Sequence, residues 1–272
     1  GGTVTDMSAP VRVGAIPPAP AKPGPETRAA VLRAMADAGC DHLVVGDHVC
    51  FFGGWGVDGL VEATALSMLH PSLPVHTSVY LLVLRHPVLV ARQISTLAAH
   101  APGRLVLGVG IGGEDPDEVR ACSVDPSTRG RRMDECLSIL RPLLEGRTVD
   151  HDGEFFSLSS VSLSPSPPLP VPVVVGGRST AAVRRAGRHG DGWLGIWVSP
   201  ERFAAAIAEA EAVAAECGRS ELDWHHGMTV WCGLADDRSS ATQTVSRAME
   251  ALYGLPFERF ARYVPAGTPA DI

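Results

Sequence analysis

The chain has no uninterrupted apolar run approaching the roughly 18 residues that a membrane-spanning helix needs. Nor does it open with the charged start and apolar core of a secretory signal. A basic excess is missing as well. With a formal net charge of −7 and a pI near 5.8, the sequence offers no massed cations for a nucleic-acid backbone, so any anion must be bound locally. Paired cysteines are also absent. Cys40, Cys50, Cys122, Cys136, Cys217 and Cys232 are widely spread, with no C-x-x-C pair and no histidine at zinc-finger spacing. They read as reduced thiols in a cytoplasmic protein that holds no metal. Membrane and nucleic-acid partners are thereby set aside in favour of a small-molecule substrate.

What the chain does have is 272 residues, 45% of them hydrophobic, a length suited to one α/β-barrel domain. Strand-like and helix-like segments alternate almost throughout. Strands are expected at 11–16, 42–45, 75–80, 105–109, 171–175, 192–194 and 227–232. Helices are expected at 26–38, up to 69, 86–100, 129–144, up to 189, 199–217 and 239–252. Met133, Leu137, Leu140 and Leu144 mark the amphipathic face of the 129–144 helix, and Ser199-Pro200-Glu201 supplies an N-cap, a first-position proline and a first-turn acid. Arg184, Arg185 and Arg188 read as a solvated helix face. A hairpin around Asp152-Gly153, within 149–156, and the proline-rich 164–172 stretch form an insertion at about 145–170.

Seven strand–helix repeats predict a TIM (β/α)8 barrel over 11–272, preceded by a flexible segment, 1–10. The last unit is apparently missing, because the chain stops at Thr268-Pro269-Ala270-Asp271-Ile272, itself a helix-start signal. A final helix and eighth strand of roughly a few tens of residues are expected beyond it in the native protein. A competing reading comes from Gly108, Gly110 and Gly113, which satisfy G-x-G-x-x-G. Glu114, Asp115, Asp117 and Glu118 would crowd negative charge where a pyrophosphate should sit, and Pro116 interrupts the turn into a helix, so the dinucleotide-fold reading is the weaker one.

The residues themselves suggest sites at strand ends. His48, after the 42–45 strand, suits proton transfer at a barrel mouth, and Asp47 either orients it or caps the following loop. Phe51, Phe52 and Trp55 form either a substrate wall or a cover over the core. Gly110, Ile111 and Gly112 allow close backbone approach to a ligand, and Glu114 is a secondary acid candidate. Gly176-Gly177-Arg178-Ser179 opens a helix after a buried strand and suits a phosphate.

Gly46-Asp47-His48, Thr77-Ser78-Val79, Arg85-His86-Pro87, Leu107-Gly108-Val109-Gly110, the 129–135 segment, Val174-Val175-Gly176-Gly177, Gly190-Asp191-Gly192-Trp193 and Gly267-Thr268-Pro269 run collinearly through the chain. Together they resemble the bacterial-luciferase-like superfamily of flavin and deazaflavin oxidoreductases. The resemblance implies FMN or a deazaflavin (coenzyme F-420) at the C-terminal strand ends. Relatives that use flavin usually carry an acid and two histidines after the second strand, so the Asp47-His48 pair is more similar to the deazaflavin branch. The Ala-, Gly-, Arg- and Pro-rich composition is compatible with an actinobacterial source, where that coenzyme is common.

By the same resemblance, hydride passes between the coenzyme C5 and a small organic substrate, with His48 moving a proton. Asp47 can contact the ring, and a strand bulge with a non-prolyl cis peptide at Ser78-Val79 supports the ring's back. Gly176 to Ser179 hold the coenzyme phosphate, and the protein is expected to be a homodimer. Sugar-phosphate dehydrogenases of this branch carry an acid where this chain has Gly113, one residue before Glu114, which puts that reaction in doubt. The alternatives are an FMN-dependent monooxygenase and a non-catalytic cofactor-binding barrel.

Overall fold

The structure, a computed structural model, describes residues 11–18, 22, 24–113 and 115–272. The segment expected to be flexible, 1–10, and the acid candidate Glu114 lie outside the described residues. The first half runs β1 (Gly14–Ala15), α1 (Pro25–Asp37), β2 (His42–Val45), β3 (His48–Cys50), a distorted turn α2 (Phe51–Gly54), β4 (Trp55–Val57), α3 (Gly59–Leu69), β5 (Val75–Thr77), α4 (Pro87–His100) and β6 (Leu105–Val109). It continues through α5 (Pro116–Ala121), α6 (Arg129–Leu144), the hairpin β7 (Val149–Asp152) and β8 (Ser157–Val161), β9 (Val173–Gly176), α7 (Thr180–His189), β10 (Gly192–Ile196), α8 (Pro200–Glu216), β11 (Gly227–Thr229), β12 (Gly233–Leu234), α9 (Arg238–Tyr253) and β13 (Ala266–Gly267).

Seven strands form one parallel sheet in the order β1-β2-β5-β6-β9-β10-β11, which is chain order, and each leads to a helix. That is the winding of a (β/α)8 barrel, shown here through seven strands with β1 and β11 as edges among the described residues. The consecutive order has no switch point, so the dinucleotide-fold reading of Gly108, Gly110 and Gly113 does not hold. Burial on both faces explains the near-continuous apolar strands. Leu43, Val75, Leu107, Val173 and Val175 pack with Leu66, Ile94, Leu137, Leu140, Val183 and Ala186 from the helices. A smaller cluster of Trp197, Val245, Met249, Phe260 and Val264 lies under the last third of the chain.

Several local expectations are corrected. The strand expected at 227–232 ends at Thr229: β11 joins β10, while β12, just beyond the expected span, pairs in parallel with β13 in a separate two-stranded sheet. The hairpin is longer than 149–156, because Gly153 to Phe156 is its connection and β8 its return strand. Pro116 does not interrupt a helix; it occupies the first position of α5, where its missing N–H has no intrahelical partner to lose, and Asp115 is the N-cap. Arg185 is no solvated face either: it is buried, donating to Asp134 and to the Gly130 carbonyl.

Away from the mouth, Asp191 is held by Arg141 at 2.8 Å and Arg219 at 3.3 Å, and accepts the Val173 N–H, fastening α6 and the segment after α8 to β9. His42 and His76, on neighbouring strands β2 and β5, stack at 3.8 Å. Burial, with His42, Arg12 and His225 nearby, pushes His76 down to about 3, and burial with His225 pushes His226 down to about 4. Both bind a proton more readily unfolded, near their ordinary 6.5, than folded. Stability from these groups is therefore complete above that value and is lost as pH falls towards the folded values. The thermal midpoint is expected to drop as pH is lowered from neutral to about 4.5, and less steeply in His76→Gln. Equal slopes for the two proteins would refute the assignment to His76.

Candidate active site

The C-terminal ends of β2, β5, β6 and β9 gather the segments 46–48, 78–79, 110–112 and 176–179 at one end of the sheet. The first of these turns on Asp47, whose side chain is fully enclosed. One oxygen accepts from the Gly59 N–H at 2.9 Å and from Arg85 at 2.9 Å; the other accepts from the Leu81 N–H at 2.8 Å and from Arg85 at 2.5 Å. Burial pushes this carboxyl above its ordinary value while Arg85 and the two N–H groups pull it back. Asp47 is thus committed to the scaffold, binding the starts of two segments, and reaches neither His48 nor an open face as the sequence suggested. Arg85 also lies 4.4 Å over the Tyr80 ring.

His48 finds a different carboxylate. Its Nδ1 is 2.9 Å from an oxygen of Glu118, whose other oxygen accepts the N–H groups of Val49 at 2.6 Å and Cys50 at 3.2 Å. Glu118 is buried on α5, and Asp115, the N-cap of that helix, accepts the Phe52 N–H at 2.8 Å. Burial pushes the Asp115 carboxyl up, but the N–H groups of Phe52, Asp117 and Glu118 outweigh it and hold the group below its ordinary value. A short helix therefore clasps the His48 loop by its main chain. The imidazole also stacks on Phe51 at 4.0 Å and lies 5.7 Å from Trp55. Phe51 is 2% exposed, which makes it a support for His48, whereas Phe52 and Trp55 are 48% and 53% exposed and remain available as wall residues.

The Ser78–Val79 peptide is cis, at an interruption of β5 that Tyr80 ends by bridging to Val109. The glycines next to it serve this turn. A Cβ on Gly110 would lie 2.3 Å from Val79 Cγ2, and one on Gly176 would lie 2.6 Å from Val79 Cγ1. The valine therefore fills room that sequence reasoning reserved for a ligand's approach. Ser78 Oγ meets Thr229 Oγ1 at 3.0 Å, joining β5 to β11. Ile111 is partly buried on the main core, Gly112 has φ +67°, and Gly113 has open space around it. Ser179 Oγ caps α7 by accepting the Ala182 N–H, the Gly177 carbonyl accepts from Trp193 Nε1 at 2.8 Å, and Arg178 lies 5.2 Å over the Trp197 ring.

Residues 5–268 match the family described as luciferase-like monooxygenase. The chain belongs to that family. An uncharacterised protein of Mycobacterium tuberculosis is 34% identical over 164 residues, 60% of this chain and 56% of that protein. An F420-dependent glucose-6-phosphate dehydrogenase of Nakamurella multipartita is 31% identical over 177 residues, 63% of this chain and 52% of its own. The chain spans about half the length of the curated relatives it matches. Among solved structures, an F420-dependent secondary alcohol dehydrogenase in complex with an F420-acetone adduct has a TM-score of 0.76 at 22% identity. That match covers 89% of this chain and 76% of the other, and it shows the shared barrel fold.

Two residues of this luciferase-like site escaped the sequence reading, Glu118 and Asp115, which counted there only as crowding charge. The signal was present: Asp115-Pro116-Asp117-Glu118 repeats the cap, proline and acid pattern recognised at Ser199-Pro200-Glu201. Among the described residues no three His, Cys, Asp or Glu side chains group as a metal site, and no helix is long and apolar enough to cross a membrane.

Removing Asp47 would leave two buried N–H groups without an acceptor and the Arg85 guanidinium with only Asp58 and the Leu81 carbonyl, each at 3.2 Å. Asp47→Ala is expected to lose about 3–5 kcal/mol of stability in urea unfolding. An unchanged midpoint would show that the pair carries no such weight.

Proposed function

We propose that this protein is a coenzyme F-420-dependent oxidoreductase that transfers a hydride to or from a small organic substrate. The observation that carries the reading is the His48–Glu118 pair, set at a strand end beside the cis Ser78–Val79 turn. The residues present fit a flat, phosphate-bearing coenzyme. Val79 offers an apolar floor, Gly113 leaves open space, and α7 opens after its N-cap Ser179 with first-turn N–H groups that a helix leaves without an internal partner. When bound, a deazaflavin supplies a hydride donor or acceptor carbon at C5.

The chain's own residues do the rest. Glu118 accepts the Nδ1–H of His48, which leaves Nε2 as the nitrogen that takes or gives the substrate proton, and the carboxylate steadies the imidazolium between those events. Phe51 keeps the ring from turning, and Phe52 and Trp55 form an apolar wall beside it. Ser179 and the first turn of α7 would face the phosphate, with Gly176 and Gly177 giving it room, since the Gly177 N–H already donates to the Leu194 carbonyl at 3.3 Å. Six free thiols suit a reducing, cytoplasmic setting.

Titrating the protein separately with coenzyme F-420 and with FMN tests the cofactor. Saturable deazaflavin binding with weak FMN binding is expected. The reverse preference would place the protein with the oxygen-using flavin enzymes, and binding of neither would favour a non-catalytic barrel. Against a panel of small carbonyl compounds, His48→Asn is expected to slow oxidation of the reduced coenzyme by about 10²–10⁴-fold while its affinity stays unchanged. Glu118→Gln should give a smaller loss and an altered pH profile. Full activity in His48→Asn would remove it from proton transfer.

We also propose that the protein is a homodimer through α3. Val61, Ala65 and Met68 line the outer face of that helix, and Val61 and Met68 are 67% and 54% exposed. Met68→Glu is expected to shift the mass in light scattering from dimer to monomer. A wild-type monomer, or a dimer unaffected by the charge, would refute this.

A further inference from the structure

We propose that a cavity between the ends of β9 and β10 and the 255–263 segment is a subsite for a small carboxylate with a flat apolar body, the anionic end of the substrate. The inference rests on the reading of the mouth as a reaction site. The cavity measures about 170 Å³ and is lined by Arg178, Trp197, Leu255, Arg259, Phe260 and Tyr263. Arg178 follows β9 and Trp197 follows β10 directly, so the cavity lies at the same strand ends as His48.

Two exposed arginines and one enclosed indole line the cavity. Arg178 and Arg259 have no carboxylate partner among the described residues, whereas Arg85, Arg141 and Arg185 are all paired. Trp197 is 8% exposed, and its indole N–H is enclosed without an acceptor. Enclosed N–H groups almost always find a partner, so an orphan on a cavity wall points to an acceptor supplied from outside. The residue also holds φ +52°, a conformation that bulky side chains rarely adopt, while its ring is fixed by Phe260 at 4.4 Å, Tyr253 at 5.1 Å and Arg178 at 5.2 Å.

The remaining lining selects among anions. Two guanidinium forks match a carboxylate or a phosphate equally. Leucine and three aromatic rings around them favour an oxyanion with an apolar plane over a hydrated phosphate or sugar phosphate. At about 170 Å³ the space admits a ring the size of benzoate.

Calorimetric titration of the full chain with benzoate and with inorganic phosphate tests the site, and coenzyme F-420 is titrated in parallel. Saturable benzoate binding is expected, tighter than phosphate. Arg259→Gln should weaken it about tenfold or more, and Trp197→Phe, which keeps an aromatic ring and drops the N–H, by several-fold. Arg259→Gln should keep the wild-type thermal midpoint and coenzyme affinity, and Trp197→Phe, which trims a core residue, should unfold cooperatively at a lower midpoint.

Wild-type benzoate affinity in both variants would overturn the proposal. So would equal or tighter binding of phosphate, or displacement of benzoate by the coenzyme, which would assign the cavity to the coenzyme instead. Benzoate binding lost in Arg259→Gln, in a protein that binds no coenzyme, would uphold the subsite and defeat the hydride-transfer reading alone.

Discussion

The enclosed carboxylate of Asp47 joins the loop after β2, the first turn of α3 and the chain leaving β5, and it does so with Arg85 as a bidentate cationic partner. Ion pairs of this kind add little net stability over apolar packing, yet breaking one leaves a charge with nowhere to go. What the pair secures is relative position. His48 is the next residue along, and Ser78-Val79 lies only a few residues before Leu81 and Arg85, so the proton-transfer candidate and the floor of the mouth share one anchor.

Around that anchor, small residues are placed where large ones must pass. Gly108 comes so close to Thr77 that a Cβ would lie 2.0 Å from its carbonyl oxygen, and Thr77 Oγ1 in turn donates to the Gly108 carbonyl at 2.7 Å. Gly110, after β6, and Gly176, at the end of β9, both make room for Val79. The interruption of β5 is therefore locked by packing against β6 and β9, with little freedom left for the residues that line the mouth.

The barrel was legible because each strand is a short apolar run and each helix carries a cap or a periodic stripe, and these are local signals. His42–Val45, Leu105–Val109 and the 129–144 helix fall where the pattern put them. The misreadings share a cause: they concern which long-range partner a polar residue meets. Arg185 has the spacing of a surface residue but meets Asp134 on α6, 51 positions away. Glu118 looks like one acid among four but closes on His48 across 70 positions. Asp47 was left between orienting His48 and capping the following loop, and its partners are the Gly59 and Leu81 N–H groups and Arg85, 12, 34 and 38 positions away. The resemblance placed the cis peptide correctly, which composition and periodicity alone could not do.

The grip of α5 on the loop after β2 acts almost wholly through main-chain N–H groups, those of Val49, Cys50 and Phe52. Main-chain donors are present whatever side chain a position bears, proline excepted. The wall positions 52 and 55 can therefore change identity over generations while the backbone that carries them, and the imidazole orientation beside them, stays where it is. A barrel built this way separates the inheritance of its reaction chemistry from that of its substrate preference.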